Sequence, residues 1–292
     1  MDNLKDKNLY YVGGVVRDEI LGTKSFDTDF CYEGNAIDFA RYKGFNIVQE
    51  NPDFGTVKII FDDKKIDIAS TRKETYPSAG HLPAVYDIGC SLEEDLKRRD
   101  FTINSIAKNT LTNEIFDPFN GISDIKQRVI KVLHNKSFID DPTRILRGLK
   151  FSVRFGFELD KETKILQNEY LHNINYDMSY HRLKKELVET FNLNSAEAFD
   201  KFKEQNIYKL LGENQVLPNI KGIKIKTAIE NSSKKTDSWL IYMSFFNLSN
   251  LPLTKKEQSI LNWADKLKSQ SATNNTPYES IFIYNLRRET NC

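Results

Sequence analysis

A chain of 292 residues that is 39% hydrophobic and 28% charged has an ordinary globular composition and is long enough for more than one compact unit. Its formal net charge of +1 leaves no global basic field for nucleic acid, so any such surface must be local. Three dispersed cysteines without a Cys-x-x-Cys pair, no membrane-length apolar run and no apolar signal core argue against a disulfide scaffold, a membrane protein and a secreted one, and for a cytoplasmic location.

The first third reads as mixed α/β. Tyr10–Val12 predicts a short strand, Gly13–Gly14 a turn, and Val15–Leu21 a helix stopped by Gly22. The turn in VGGVVRD offers backbone amides to phosphate oxygens, with Arg17 in reach to add a charge-assisted contact. A tight turn that simply needs small residues accounts for the glycines too. FDTDFCY predicts a strand on which Asp27 and Asp29 share a face. Two carboxylates so close repel, and a divalent cation between them relieves that; a solvated strand face is the plainer alternative. A helix over Ala36–Lys43, the strand FNIVQE, and a hairpin of TVKIIF and KIDIAS about Asp62–Asp63–Lys64 follow. Asp67 points away from its neighbours Ile66 and Ile68, and three carboxylates converge if its strand lies beside that of Asp27. Glycines for a triphosphate followed closely by Asp-x-Asp for metal point jointly to metal-dependent nucleotidyl transfer.

SLEEDLKRRDFTINSIA, residues 91–107, carries Arg98 and Arg99 to face a triphosphate and Asn104 to bond a ribose hydroxyl. A charged helix face explains a Glu94–Arg98 pair but not the adjacent arginines, which a helix turns apart. After about residue 125 the strand signals fade and helix-period stretches take over. In DDPTRILRGLKFSVRFGFELD, Asp141 before Pro142 reads as a helix N-cap. Asp141, Arg144 and Arg147 also recur every three residues as a polar stripe beside apolar Ile145, Leu146 and Leu149. An acceptor from Asp and a donor from Arg match the amino donor and ring-nitrogen acceptor of cytosine and adenine, and mismatch guanine and uracil.

The order VGGVVRD, FDTDF, RRDFTINSIA, DPFNG, DDPTRILRGLKFSVRFGF closely resembles the class II tRNA nucleotidyltransferases, the CCA-adding enzymes, and the related bacterial poly(A) polymerases. The likeness runs from about residue 9 to 160 and more weakly to about 218. It implies an α+β fold: a polymerase-β-like nucleotidyltransferase head with a mixed sheet over 1–125, a helical, base-recognising neck over 126–190, and a helical, RNA-binding body over 191–292 with a shortened tail. It implies Asp27, Asp29 and Asp67 as catalytic, with Mg2+ held by Asp27 and Asp29. Nucleotide binding falls to Gly13, Gly14, Arg17, Arg98, Arg99, Asp100, Asn104, Asp141, Arg144 and Arg147.

The implied reaction is attack of an RNA 3′-hydroxyl on the α-phosphate of CTP or ATP, completing or repairing the CCA end of tRNA. The implied partners are tRNA, at its 3′ end and acceptor arm, with CTP and ATP, and neither a membrane nor a protein. An A-only-adding enzyme or a poly(A) polymerase of the same family is the alternative, and an inactive RNA-binding relative a more remote one. Asp140 stands where the family commonly has Glu, and Ser105 where Ala is common. Residues 72–89 fill the place of a loop that CC-only members shorten, which argues against CC-only activity. Residues 221–292 hold eleven Lys/Arg against six Asp/Glu, which suits a tRNA backbone as well as a solvated face.

Overall fold

In the computed structural model, which describes residues 4–25, 28–234 and 236–289, the first strand belongs to a seven-stranded mixed sheet. Its members are β1 (Leu9–Val12), β2 (Asp29–Tyr32), β3 (Asn46–Asn51), β4 (Thr56–Phe61), β5 (Lys64–Ser70), β8 (Ala107–Asn109) and β9 (Ile115–Phe116). The remaining two in that span, β6 (Arg72–Thr75) and β7 (Ala84–Ile88), form a separate antiparallel hairpin. The sheet order is β3-β4-β5-β2-β1-β8-β9, antiparallel throughout except where β2 meets β5. The β4–β5 hairpin turns through Asp62 and Asp63, both at positive φ (47° and 58°), as a two-residue turn between right-twisted strands requires.

Strand alternation sorts the core into two faces. Leu9, Phe30, Val57, Ile59 and Ile68 pack with Ile37, Phe39 and Ala40 of α2 (Ala36–Tyr42). Val12, Cys31 and Ala107 face the other way, onto Leu92 and Leu96 of α3 (Leu92–Lys97). Each such buried aliphatic or aromatic side chain contributes about 1.5–3 kcal/mol. α1 (Gly14–Ile20) follows β1 directly, and α4 (Gly121–Gln127) follows β9.

Two compact units result. One holds the described residues up to Asp140 together with Phe157–Lys164, the other Asp141–Gly156 and the described residues from Ile165 onward. The first unit continues past the sheet with β10 (Val129–Ile130), paired in parallel with β11 (Glu158–Leu159), and with α5 (Ser137–Asp140). Strands of two residues are too short to show alternation, so the fading of strand signals near residue 125 hides this pair. The second unit is helical: α6 (Thr143–Phe155), α7 (Lys161–His172, its first turn in the first unit), α8 (Tyr180–Phe191), α9 (Ala196–Glu204), α10 (Gly222–Glu230), α11 (Ser238–Met243), α12 (Lys255–Lys266) and α13 (Tyr278–Arg288). Its core is aromatic, with Phe191 edge-on to Phe202 (5.3 Å between centroids) and Phe202 edge-on to Phe246 (5.5 Å). Trp239 is buried, as a core residue, beneath the Lys184 ammonium. Among the described residues no helix is long and apolar enough to cross a membrane.

Candidate active site

Asp29 opens β2, and its register partner across the parallel β2–β5 ladder is Asp67. Registered neighbours point to one side of a sheet. That side is the one Cys31 and α3 occupy, because Phe30 and Ile68 go to the α2 face. Both carboxylates are exposed, and Asp67 forms an ion pair with Lys58 at 3.4 Å. Asp27 lies outside the described residues. Among those described, no group of three His, Cys, Asp or Glu is placed to hold a metal. The Asp29–Asp67 pair by itself offers hard, anionic oxygens, the donor chemistry that a cation such as magnesium takes.

Beside β2 in the sheet, β1 runs into the glycine turn. Gly13 has φ +70°, where a Cβ is disfavoured, and its N–H donates to the Ile106 carbonyl (3.3 Å). A Cβ there would also lie 3.0 Å from Nη1 of Arg99, and one on Gly14 would lie 3.4 Å from Nη2 of Arg17. The two glycines thus admit two guanidinium groups to one turn. Arg17 is buried; its Nε and Nη2 donate to Asp18 Oδ1 (2.9 and 2.7 Å) and its Nη1 to Asn104 Oδ1 (2.5 Å). Asn104 Nδ2 donates in turn to Asp100 Oδ1 (2.9 Å), which also accepts the Phe101 N–H (2.8 Å). Gly13, Gly14, Arg17, Arg99, Asp100 and Asn104 are therefore brought together.

The 3-10 turn Thr102–Asn104 that carries Asn104 is braced by α4. Thr102 Oγ1 donates to Asp124 (2.6 Å), and Asp117 of DPFNG accepts the N–H groups of Gly121 and Ile122 (2.7 and 2.9 Å). A Cβ at Gly121 would stand 2.3 Å from the Thr102 carbonyl, so no other residue fits.

Arg98 and Arg99 converge although they are neighbours. α3 begins with a capping box of Ser91 and Glu94 and ends at Lys97, so neither arginine is bound to helical spacing. Arg98 donates from Nε and Nη2 to Asp95 Oδ1 (3.0 and 2.8 Å) and from Nη1 to Glu74 (2.9 Å); Arg99 donates from Nη2 to Asp95 Oδ2 (3.2 Å). Asp95 is fully buried. Burial pushes its carboxyl up, but Arg99 and Arg98 outweigh that and hold it below the ordinary range. Glu94 pairs with Lys73 (2.7 Å) besides closing the capping box. Neither Asp95 nor Glu74 stands out in the sequence, beyond Asp95 lying three and four residues before two arginines.

In the second unit, Asp141 is buried ahead of α6. Its Oδ1 accepts the Thr143 N–H (3.1 Å) and hydroxyl (2.6 Å) and its Oδ2 accepts from Arg182 Nη2, while the N-cap expected at Asp141 falls on Pro142. Arg144 is buried on the first turn of α6, and Arg147 is half-buried, ion-paired with Glu186 (3.4 Å) and over the Phe151 ring. Arg182, on α8, is the functional candidate that sequence reasoning missed. The available signal was indirect: a buried aspartate needs a cation, but nothing local says which one.

A mixed sheet with acids on the strand beside a glycine turn, followed by helices, has the architecture of a nucleotidyltransferase head with a helical extension. Residues 9–131 match the poly A polymerase head domain. The A-adding tRNA nucleotidyltransferase of Aquifex aeolicus (strain VF5) is 46% identical over 164 residues, which are 54% of this chain and 20% of the relative. That of Halalkalibacterium halodurans is 33% identical over 218 residues, 70% of this chain and 50% of the relative. The chain thus spans a fifth to a half of the length of these curated relatives. A solved CCA-adding enzyme in its apo form II superposes with a TM-score of 0.80 at 26% identity, covering 95% of this chain and 75% of that one. Together the head-domain match, these relatives and the solved structure support a class II tRNA nucleotidyltransferase family for this chain.

Proposed function

We propose that the protein adds CMP and/or AMP, from CTP and ATP, to the 3′ end of tRNA, completing or repairing its CCA terminus. The observation that carries this reading is the Asp29–Asp67 register on the strand next to the Gly13 turn. In this reading Asp27 and Asp29 hold divalent cations, with Asp67 as the nearby third acid. Bound there, Mg2+ ions would acidify the RNA 3′-hydroxyl and neutralise charge on the departing pyrophosphate. Gly13, Gly14, Arg17 and Arg99 orient the triphosphate, and Asp100 and Asn104 position the ribose. The 3′-oxygen forms a bond to the α-phosphorus as the bond to pyrophosphate breaks, with no protein nucleophile.

Asp141 and Arg144 present the acceptor and donor that cytosine and adenine share, with Arg147 in the same stripe. The helical residues 191–292 supply the tRNA backbone contacts, where cations outnumber acids. A cytoplasmic location belongs to this reading and fits the free thiols of Cys31 and Cys90.

A-only addition is the second reading, favoured by the names of the two curated relatives above. Both are tested by giving the purified protein and Mg2+ tRNA transcripts that end before CCA, after C and after CC, with CTP, ATP or both. Completion of all three supports CCA addition; extension of the CC-ended transcript by A alone supports the second reading. Asp29→Ala is expected to lower either rate by about a hundredfold or more. Extension that survives this change unaltered would remove Asp29 from the site.

A further inference from the structure

We propose that Arg98 is a positioning residue that, through Glu74 and Asp95, clamps the β6–β7 hairpin to the end of α3 and leaves Arg99 alone of the adjacent pair to meet the triphosphate. This rests on the nucleotidyl-transfer reading for the role of Arg99, and on geometry alone for the clamp.

Glu74 on β6 has a side chain only 5% exposed, and that of Asp95 is 0% exposed. Two carboxylates buried side by side need cations close by, and Arg98 is the one that bridges both. Its guanidinium spans the gap, with Nη1 on Glu74 and with Nε and Nη2 on Asp95. The same two acids grip β6 again: Glu74 accepts Arg72 Nε (2.8 Å) and Asp95 accepts the Arg72 N–H (3.2 Å). β6 and β7 pair only with each other and share no ladder with the seven-stranded sheet. Their attachment to α3 therefore depends on these polar bonds, together with the Lys73–Glu94 ion pair (2.7 Å), rather than on sheet hydrogen bonding.

Arg99 is held differently. It has one bond to Asp95, through Nη2; its Nε is buried without a hydrogen-bond partner, and its Nη1 lies against Gly13. An anionic oxygen arriving at the glycine turn would meet that Nη1 in a charge-assisted contact. Asp95 thus serves both arginines in separate ways. Oδ1 fixes Arg98 in the clamp, and Oδ2 aims Arg99 at the turn.

The test compares the full chain with Arg98→Lys, Arg99→Lys, Glu74→Gln and the Arg98→Lys/Glu74→Gln double variant. Equilibrium binding of ATP and of AMP reports triphosphate recognition, and amide hydrogen exchange over residues 72–88 without nucleotide reports the clamp. Arg99→Lys is expected to reduce the preference for ATP over AMP by about tenfold, because one charge-assisted fork is lost. Arg98→Lys and Glu74→Gln should keep that preference within about twofold and each speed exchange in the hairpin by about tenfold, with the double variant close to either single one. Loss of ATP preference in Arg98→Lys as large as in Arg99→Lys overturns the division of roles. Unchanged hairpin exchange in Glu74→Gln overturns the clamp, and because this variant keeps the site's shape it decides the point even if Arg98→Lys fails to fold. A parent protein that binds ATP no better than AMP overturns the nucleotidyl-transfer reading and the Arg99 role with it, while the exchange result still decides the clamp.

Discussion

Asp95 in the first unit and Asp141 in the second are both buried carboxylates held by arginine, but they obtain their counter-charge by different routes. Asp95 finds Arg98 and Arg99 three and four residues further on, at the end of its own short helix. Asp141 finds Arg182, which is 41 residues away on another helix. A carboxylate neutralised within its own turn keeps its partners whenever that turn forms. One neutralised across the helical unit meets its cation only once α6 and α8 have packed. The Asp141 pair of the second unit is therefore the more dependent on tertiary structure, and the Asp95 cluster of the first unit the more self-contained.

The strongest way to break this comparison is Arg182→Met, which removes the Asp141 cation and keeps the apolar bulk. Asp141 would be left buried with its bonds to Thr143 and without this cation, and unfolding free energy should drop by about 3 kcal/mol. Urea denaturation measures this directly. A loss below about 1 kcal/mol, the range of exposed pairs, would mean that Asp141 keeps its hydration and does not need α8. Discrimination between ATP and GTP in the same variant should weaken even where folding is retained, since the acceptor is no longer held in place.

What was legible in the sequence follows the same division between local and distant causes. The strands, the glycine turn and the two-residue hairpin at Asp62–Asp63 all depend on neighbours within a few residues, and the structure has each of them, whereas the cap expected at Asp141 falls on Pro142. The adjacency of Asp29 and Asp67 was legible only as a condition, because alternation says which way a side chain points but not which strand lies beside it. The Glu74–Arg98 and Asp141–Arg182 bonds were not legible, since they join residues 24 and 41 positions apart with no pattern linking them. The last helix, α13, was missed as well, since its apolar positions mix with tyrosine and asparagine and no clean stripe results.

A second change acts within the first unit, next to the self-contained cluster. Gly13→Ala forces a Cβ into the left-handed region and to within 3.0 Å of Arg99 Nη1. The backbone alone disfavours this by about 1–2 kcal/mol, and the Arg99 guanidinium must shift away from the turn to relieve the crowding. The expected result is a modest drop in melting temperature with a larger weakening of ATP binding than of AMP binding. Equal weakening of the two would place the damage in the fold rather than in the approach of Arg99.

The smallest effects concern a device that both units share. Ser91 with Glu94 and Thr254 with Glu257 are each a complete capping box, and each glutamate also pairs with a distant lysine, Lys73 or Lys184. The Glu257 pair is the more sheltered, at 16% and 14% exposure against 46% and 31%. Thr254→Ala should therefore cost about 1 kcal/mol and Ser91→Ala less. Burial pushes the Glu257 carboxyl up, but Lys184 and the Thr254 N–H and hydroxyl outweigh it and bring it below its ordinary value of 4.5. A carboxyl lowered on folding contributes stability that is present above its unfolded value and is lost as pH falls through its folded one. The difference between parent and Thr254→Ala should accordingly be full at neutral pH and shrink once pH drops below about 4.5, where protonation weakens the Lys184 pair in both. A difference independent of pH would assign the whole effect to the threonine hydroxyl and leave Lys184 outside the cap.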